Sequence, residues 1–332
     1  MRGVETEGYL DMKGIWKGAS RFSLFLVVVL MISACGRSFE GNQTPWEGKT
    51  RVVVTTTFIS DVVENIAGDK VDISSLLTVG QNPHSYQPAP MDMVAVTEAD
   101  LILANGFGLE DFLEDLLSGT DTTAEVIVVS EGIKPLLMEG HIEGDDDHSL
   151  EDSMEAVMGQ DPHVWFDPNN VLIWAENITN ALSEEDPENR VFYQDNFETY
   201  QGQLLELDVW IREQIEKIPE NQRELVTDHS TLGYFAQEYS LVQIGAVIPA
   251  LTTEAQTSGM ELAELIDAIR EHQTKAIFIG VDFDPNLAQR VADETGVELV
   301  PLYFGSLSDG EPAGTYLSFM RYNVSAIVEA LQ

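Results

Sequence analysis

Three of the six histidines in this 332-residue chain stand in short motifs whose residue types suit metal chemistry. His84 lies in NPHSYQP, His163 in DPHVWFDP and His229 in TDHSTLGYF. Prolines flank the first two, and proline restricts the backbone and so fixes the direction of a neighbouring side chain. Taken singly, each imidazole reads as an ordinary hydrogen-bonding group. Taken together they offer three neutral nitrogen donors, and zinc binds such nitrogens at about 2.0–2.1 Å, with one further ligand completing a tetrahedron. The spacing is not that of a zinc finger, so the site closes only through the long-range fold. Cys35 is the single cysteine, which rules out a thiolate cluster and leaves His, Asp or Glu as metal ligands.

Loops just beyond strands, or at helix entrances, hold all three histidines, where open α/β sheets place their ligands. Short β-rich runs at 51–57, 72–77, 100–105 and 125–130 alternate with helical patterns at 59–68, 90–98 and 109–118. A second series has strands at 223–227, 242–247, 276–280 and 297–302 and helices at 231–238, 258–272, 285–295 and 314–331. This alternation predicts an α/β protein of two lobes, each with a central, mostly parallel sheet flanked by helices. Between them Phe197, Tyr200, Leu204, Leu207, Ile211, Ile215 and Ile218 recur in steps of three and four, which predicts one long spine helix over 187–218. The expected lobes are then 50–186 and 219–332. Residues 139–160, EGHIEGDDDHSLEDSMEAVMGQ, are acidic and aperiodic and hold His141 and His148; they read as a solvated loop. His272 reads as a surface residue of its helix.

Formal charge is −40, from 57 acidic and 17 basic residues, which repels phosphate backbones and excludes nucleic acid as a partner. It attracts cations without locating a site. Lys13, Lys17 and Arg21 precede an apolar run, Phe22 to Ala34, that ends at Ile32-Ser33-Ala34-Cys35. That is the layout of a secretory signal, too short for a comfortable membrane-spanning helix. It resembles a bacterial lipobox, which implies that residues 1–35 form a lipoprotein signal, that Cys35 is lipidated, and that the chain is anchored to the outer side of the cell membrane. Residues 12–35 alone make a compact signal, leaving Met1 or Met12 as the start. Residues 36–49, rich in Gly, Asn, Gln and Pro, read as a flexible tether.

The order NPHSYQP, DPHVWFDP, TDHSTLGYF and GAVIPALTTEAQTSGMELAELIDAIREHQTKAIF is similar to that of the metal-binding solute-binding proteins of ABC transporters, the zinc and manganese uptake family. The similarity runs from about Arg51 to the C-terminus. It implies that His84, His163 and His229 ligate a metal in the inter-lobe cleft, the first two from the N-terminal lobe and the third from the C-terminal lobe. It also implies a monomer that delivers its metal to a membrane permease. Relatives selective for manganese tend to carry a carboxylate at the third position. His229 stands there instead, and nitrogen-rich sites favour zinc over manganese, so Zn2+ is expected rather than Mn2+. At two positions where relatives carry acidic groups this chain has Gly280 and Gly305, leaving water, Asp309, Asp282 or a loop residue as fourth ligand. By the same resemblance His141 and His148 are auxiliary metal-capture residues.

Trp165, Phe166, Tyr86 and Phe235 are read as apolar walls of the cleft, and Asp228 and Glu254 as polar neighbours with no assigned role. Imidazole must be neutral to ligate, so metal uptake is expected to weaken as pH falls toward and below about 6.5. Two other readings are a zinc hydrolase using an open three-histidine site and a surface adhesin on the same scaffold. The hydrolase lacks a convincing general base, since no HExxH motif occurs.

Overall fold

A computed structural model describes residues 48–139 and 158–332. The expected signal segment with Cys35, the tether as far as residue 47, and His141 and His148 lie outside the described residues.

Strand β1 (Thr50–Val54) is rich in β-branched residues and buries Val52, Val53 and Val54, as a strand covered on both faces must. It ends three residues before the RVVVTTT pattern does. Thr56 instead caps helix α1 (Thr57–Ala67), its side chain accepting from the Ile59 amide at 3.3 Å, the role a β-region threonine plays at a helix start. Then follow β2 (Val71–Ser75), α2 (Pro90–Glu98), β3 (Leu101–Ala104), α3 (Asp111–Ser118) and β4 (Glu125–Val128). The four strands form one parallel sheet in the order β2-β1-β3-β4. A short antiparallel pair, β5 (Leu137–Glu139) and β6 (Met158–Gln160), ties together the two ends of the acidic segment. The first series closes with α4 (Pro168–Glu185), an 18-residue helix.

Helix α5 (Arg190–Ile215) is the long element that the apolar stripe predicts. It buries Tyr193, Tyr200, Leu204, Leu207, Ile211 and Ile215, and its 26 residues span about 39 Å at 1.5 Å per residue. The second series runs β7 (Glu224–His229), α6 (Gly233–Tyr239), β8 (Val242–Ile248), α7 (Gly259–His272), β9 (Ala276–Gly280), α8 (Asn286–Thr295), β10 (Glu298–Leu302) and α9 (Tyr316–Leu331). Its sheet is again parallel, in the order β10-β9-β7-β8.

Helix α5 packs on α4, α1 and α9, so its buried stripe touches elements of both series. One contiguous apolar core results, running from Val54 and Phe58 through Trp174 and Leu207 to Leu225, Phe278 and Phe319. Smaller clusters fill the outer face of each sheet, around Ile102 in the first and Ile277 in the second. The architecture is two α/β lobes on one helical spine. Among the described residues no helix is long and apolar enough to cross a membrane.

Candidate metal centre

Each of the three histidines is aimed by its immediate neighbours. His84 sits in a 3-10 turn, Pro83–Ser85, started by Asn82. The Asn82 Oδ1 accepts from the His84 amide at 2.9 Å, while its Nδ2 donates to Thr253 Oγ1 of the other lobe at 2.7 Å. His163 follows β6 and is set by Asp161, whose Oδ1 accepts from both the His163 amide at 2.9 Å and the ring Nδ1 at 2.8 Å. The Pro162 carbonyl between them accepts from Asn105 Nδ2 at 3.1 Å. His229 is the last residue of β7, the strand where the second sheet reverses its order, and such switch points are where open sheets place ligands. Asp228 repeats the device of Asp161: its Oδ1 accepts from the His229 amide and Nδ1, both at 2.6 Å, and its Oδ2 accepts from the Gly280 amide at 2.6 Å.

These contacts bring His84, His163 and His229 together. Nε2 of His163 lies 3.1 Å from Nε2 of His84 and 3.2 Å from Nε2 of His229, and each pair of nitrogens in the trio falls within 4.8 Å. Two nitrogens bound to one tetrahedral zinc at about 2.05 Å stand about 3.3 Å apart. The carboxylates decide the tautomers. With Nδ1–H of His163 donating to Asp161 and Nδ1–H of His229 to Asp228, both Nε2 atoms present lone pairs to each other. A carboxylate behind a histidine orients metal-ligating rings in this way and raises their basicity. Facing lone pairs repel, and a cation between them turns repulsion into attraction. The donor set fits a divalent metal.

His163 and His229 are only 1% and 4% exposed, whereas His84 is half-buried at the edge. Burial, reinforced by the neighbouring imidazoles His163 and His229, pushes the His84 ring down to about 2. Burial also holds His163 well below the usual histidine range, with His229 adding to the effect. Its bond to Asp161 is therefore donated by a neutral ring and is not an ion pair. Burial raises Asp161 to about 7. The weakening of uptake below about 6.5 expected from free imidazole does not apply to His84 and His163 in this conformation. A base whose pKa is lowered stays neutral at pH values where a free one charges. In the metal-free protein, ring NMR signals of His84 and His163 should remain those of neutral imidazole from pH 7.5 down to 5.5. Half-protonation of either ring near 6.5 would contradict the buried arrangement.

The pocket is lined by the trio together with Asn82, Trp165, Asp228, Asp282 and Phe304 among others, and encloses about 20 Å³, room for a single ion or water. A groove of about 660 Å³ lies alongside and reaches only His84 of the three. Of the residues read as cleft walls, Trp165 lines the pocket, its ring centroid 5.3 Å from that of His163. Phe166 and Phe235 are fully buried in the shared core, and Tyr86 packs edge-on to Phe112 at 4.8 Å in the adjoining groove. Phe304 takes their place as a wall. Asp309 is exposed and away from the pocket, Gly305 lines it, and Glu254 lines the groove. His272 lies at the surface, its Nδ1 2.9 Å from Glu224 Oε1. Asp161 and Asp228 have roles that the sequence reading did not assign. The signal for both was an aspartate one or two positions before a candidate histidine.

A buried cluster of three imidazoles at the seam of two parallel-sheet lobes, with space for one ion, defines a two-lobed receptor for a metal. Residues 52–330 match the family model described as ZnuA, zinc-uptake complex component A, periplasmic, and the chain belongs to this family. It is 31% identical over 313 residues to the manganese-binding lipoprotein MntA of Halalkalibacterium halodurans, covering 93% of this chain and 98% of that one. To the manganese ABC transporter substrate-binding lipoprotein PsaA of Streptococcus pneumoniae it is 30% identical over 317 residues, covering 93% and 96%. The fold resembles that of the periplasmic zinc-binding protein TroA from Treponema pallidum, with a TM-score of 0.75 at 29% identity over 86% of this chain and 99% of that one. A manganese-bound periplasmic metal-binding protein from Candidatus Liberibacter asiaticus matches at 0.73 and 29%, over 86% and 100%. The protein is thus an extracytoplasmic metal-binding component of an ABC transporter, and not an enzyme.

Proposed function

We propose that this protein captures one zinc ion through His84, His163 and His229 and hands it to the permease of its transporter. The observation that carries the reading is the convergence of three Nε2 atoms, two of them with tautomers fixed by Asp161 and Asp228. Relatives are named for manganese as well as for zinc, so the choice of metal rests on the donors of this chain. Three imidazole nitrogens suit zinc, whereas manganese prefers oxygen-rich sites. Binding joins loops of both lobes at one point, since His84 and His163 belong to the first and His229 to the second. The α5 spine and the core it shares with both lobes favour ordering of these loops over wide hinge closure. The permease then reads the surface that the ordered loops form.

The remaining parts of the reading concern the chain outside this site. Cys35 carries the lipid anchor after removal of residues 1–34, in keeping with relatives named as lipoproteins; residues 36–49 tether a monomer whose lobes span 50–186 and 219–332. His141 and His148 help capture the ion. The pairing of β5 with β6 supports this, because it joins Glu139 to Met158, so that their segment leaves and rejoins the chain three residues before Asp161. Titration of the chelator-treated protein should give one zinc per chain, bound at least about 100-fold more tightly than manganese. Protein recovered from its native envelope should carry zinc. Manganese bound as tightly, or recovered in its place, would overturn the choice of metal.

A further inference from the structure

Asp282 stands two residues beyond the end of β9, in the wall of the pocket that holds the three imidazoles. Its residue as a whole is exposed, yet its carboxylate turns toward the site. A Cβ atom placed on Gly280 would come within 2.9 Å of Asp282 Oδ1, and one placed on Gly305 within 3.6 Å of Asp282 Oδ2. The carboxylate therefore occupies the space above Gly280 and borders that above Gly305, which Pro83 Cδ fills at 2.9 Å. A Cβ on Gly280 would also stand 3.2 Å from Asp228 Oδ2, so a side chain there would crowd both acids. Gly280 and Gly305, which the sequence presents as two lost acidic groups, leave room for a third position to supply one.

No side chain among the described residues is recorded as donating a hydrogen bond to Asp282 or pairing with it. The charges that act on it are those of Asp228 and His229, and with desolvation as the main cause its carboxyl lies above the usual range. A carboxylate held only by its own backbone amide, beside three imidazoles, is a group set for a cation. Its oxygens stand outside the group of nitrogens that fall within 4.8 Å of one another. Reaching the ion requires an inward swing past Pro83, in a region where Gly280 and Gly305 contribute no side chain.

Resting on the three-histidine site proposed above, we infer that Asp282 is the fourth ligand, swinging in over Gly280 and Gly305 to complete an N3O tetrahedron around the bound metal. The test uses Co2+ as a spectroscopic probe and Zn2+ by calorimetry, on the parent, Asp282→Asn, Asp282→Ala and, as a control for the site, His163→Ala. Thermal melting of the metal-free variants checks that Asp282, an exposed loop residue, is dispensable for folding. Both Asp282 variants should bind zinc about 10- to 1,000-fold more weakly and shift the visible cobalt bands in position and intensity. Weaker binding with the parent's cobalt spectrum would reduce Asp282 to a charge outside the coordination sphere and overturn the proposal. So would parent-like affinity in both variants while His163→Ala loses the metal. If His163→Ala also binds like the parent, the three-histidine site itself is wrong.

Discussion

Replacing His163 by alanine should weaken zinc binding more than any other single change in the site. Its Nε2 stands within 3.2 Å of the Nε2 atoms of both other imidazoles, and its ring is the most deeply buried of the three. Structural zinc sites bind with about 10–16 kcal/mol over four ligands. An even share is about 2.5–4 kcal/mol per ligand, or on the order of 100- to 1,000-fold in affinity. Removal of His163 also leaves the Asp161 carboxylate buried without the ring it orients, which makes the upper end of that range the expected value. Asp161→Asn keeps the ring and disturbs only its tautomer, so its loss should be about 10- to 100-fold. Competition titration against a chromophoric chelator separates the two. An Asp161→Asn loss as large as that of His163→Ala would mean that Asp161 does more than orient the ring.

The largest expected effect on stability lies next door. Trp165 is fully buried, stacks on Phe58 at 5.0 Å with a 20° interplanar angle, and donates its Nε1–H to the Phe304 carbonyl at 3.1 Å. Its own carbonyl accepts from the Tyr316 hydroxyl at 2.8 Å. One side chain thus joins the metal loop to elements of both series. Trp165→Ala leaves a cavity costing about 3–5 kcal/mol and a buried carbonyl without its donor, a further 1–3 kcal/mol or so. For a domain of this size that lowers the melting temperature by about 8–20 °C. Zinc affinity should fall with it, because the His163 ring loses its support. A melting temperature within about 3 °C of the parent in calorimetry would show that the cavity collapses without loss.

Much of this was legible from the chain because β-branched runs and helical stripes announce themselves locally. The strands around Val53, Leu103 and Phe278 and the stripe of α5 lie where periodicity places them. Boundaries depended on finer chemistry: Thr56 looks like strand and acts as a helix cap. Helix α4 escaped the periodicity, although Asp167 followed by Pro168 is a start signal, with Asp167 Oδ1 accepting from the Asn169 amide at 2.9 Å. The histidine trio stood out through its motifs, but closure over sequence separations of 79 and 66 residues is a property of the two sheets and not of any motif. Side-chain direction was beyond reach. It sent Phe166 and Phe235 into the core, made Asp161 and Asp228 the partners of the rings, and turned Asp282 toward the glycines.

The single apolar core that threads both lobes has a consequence for how the molecule lives and dies. Two lobes in outline are one unit in folding, since neither sheet can keep its inner face dry without α5 and the packing of the other half. Fission of the gene between the lobes would yield two insoluble halves, not two working modules. Cargo held at the seam tightens the whole fold at once, so an ion-loaded receptor would outlast an empty one among the proteases outside the cell, and scarcity of metal would shorten the lifetime of the very protein that collects it.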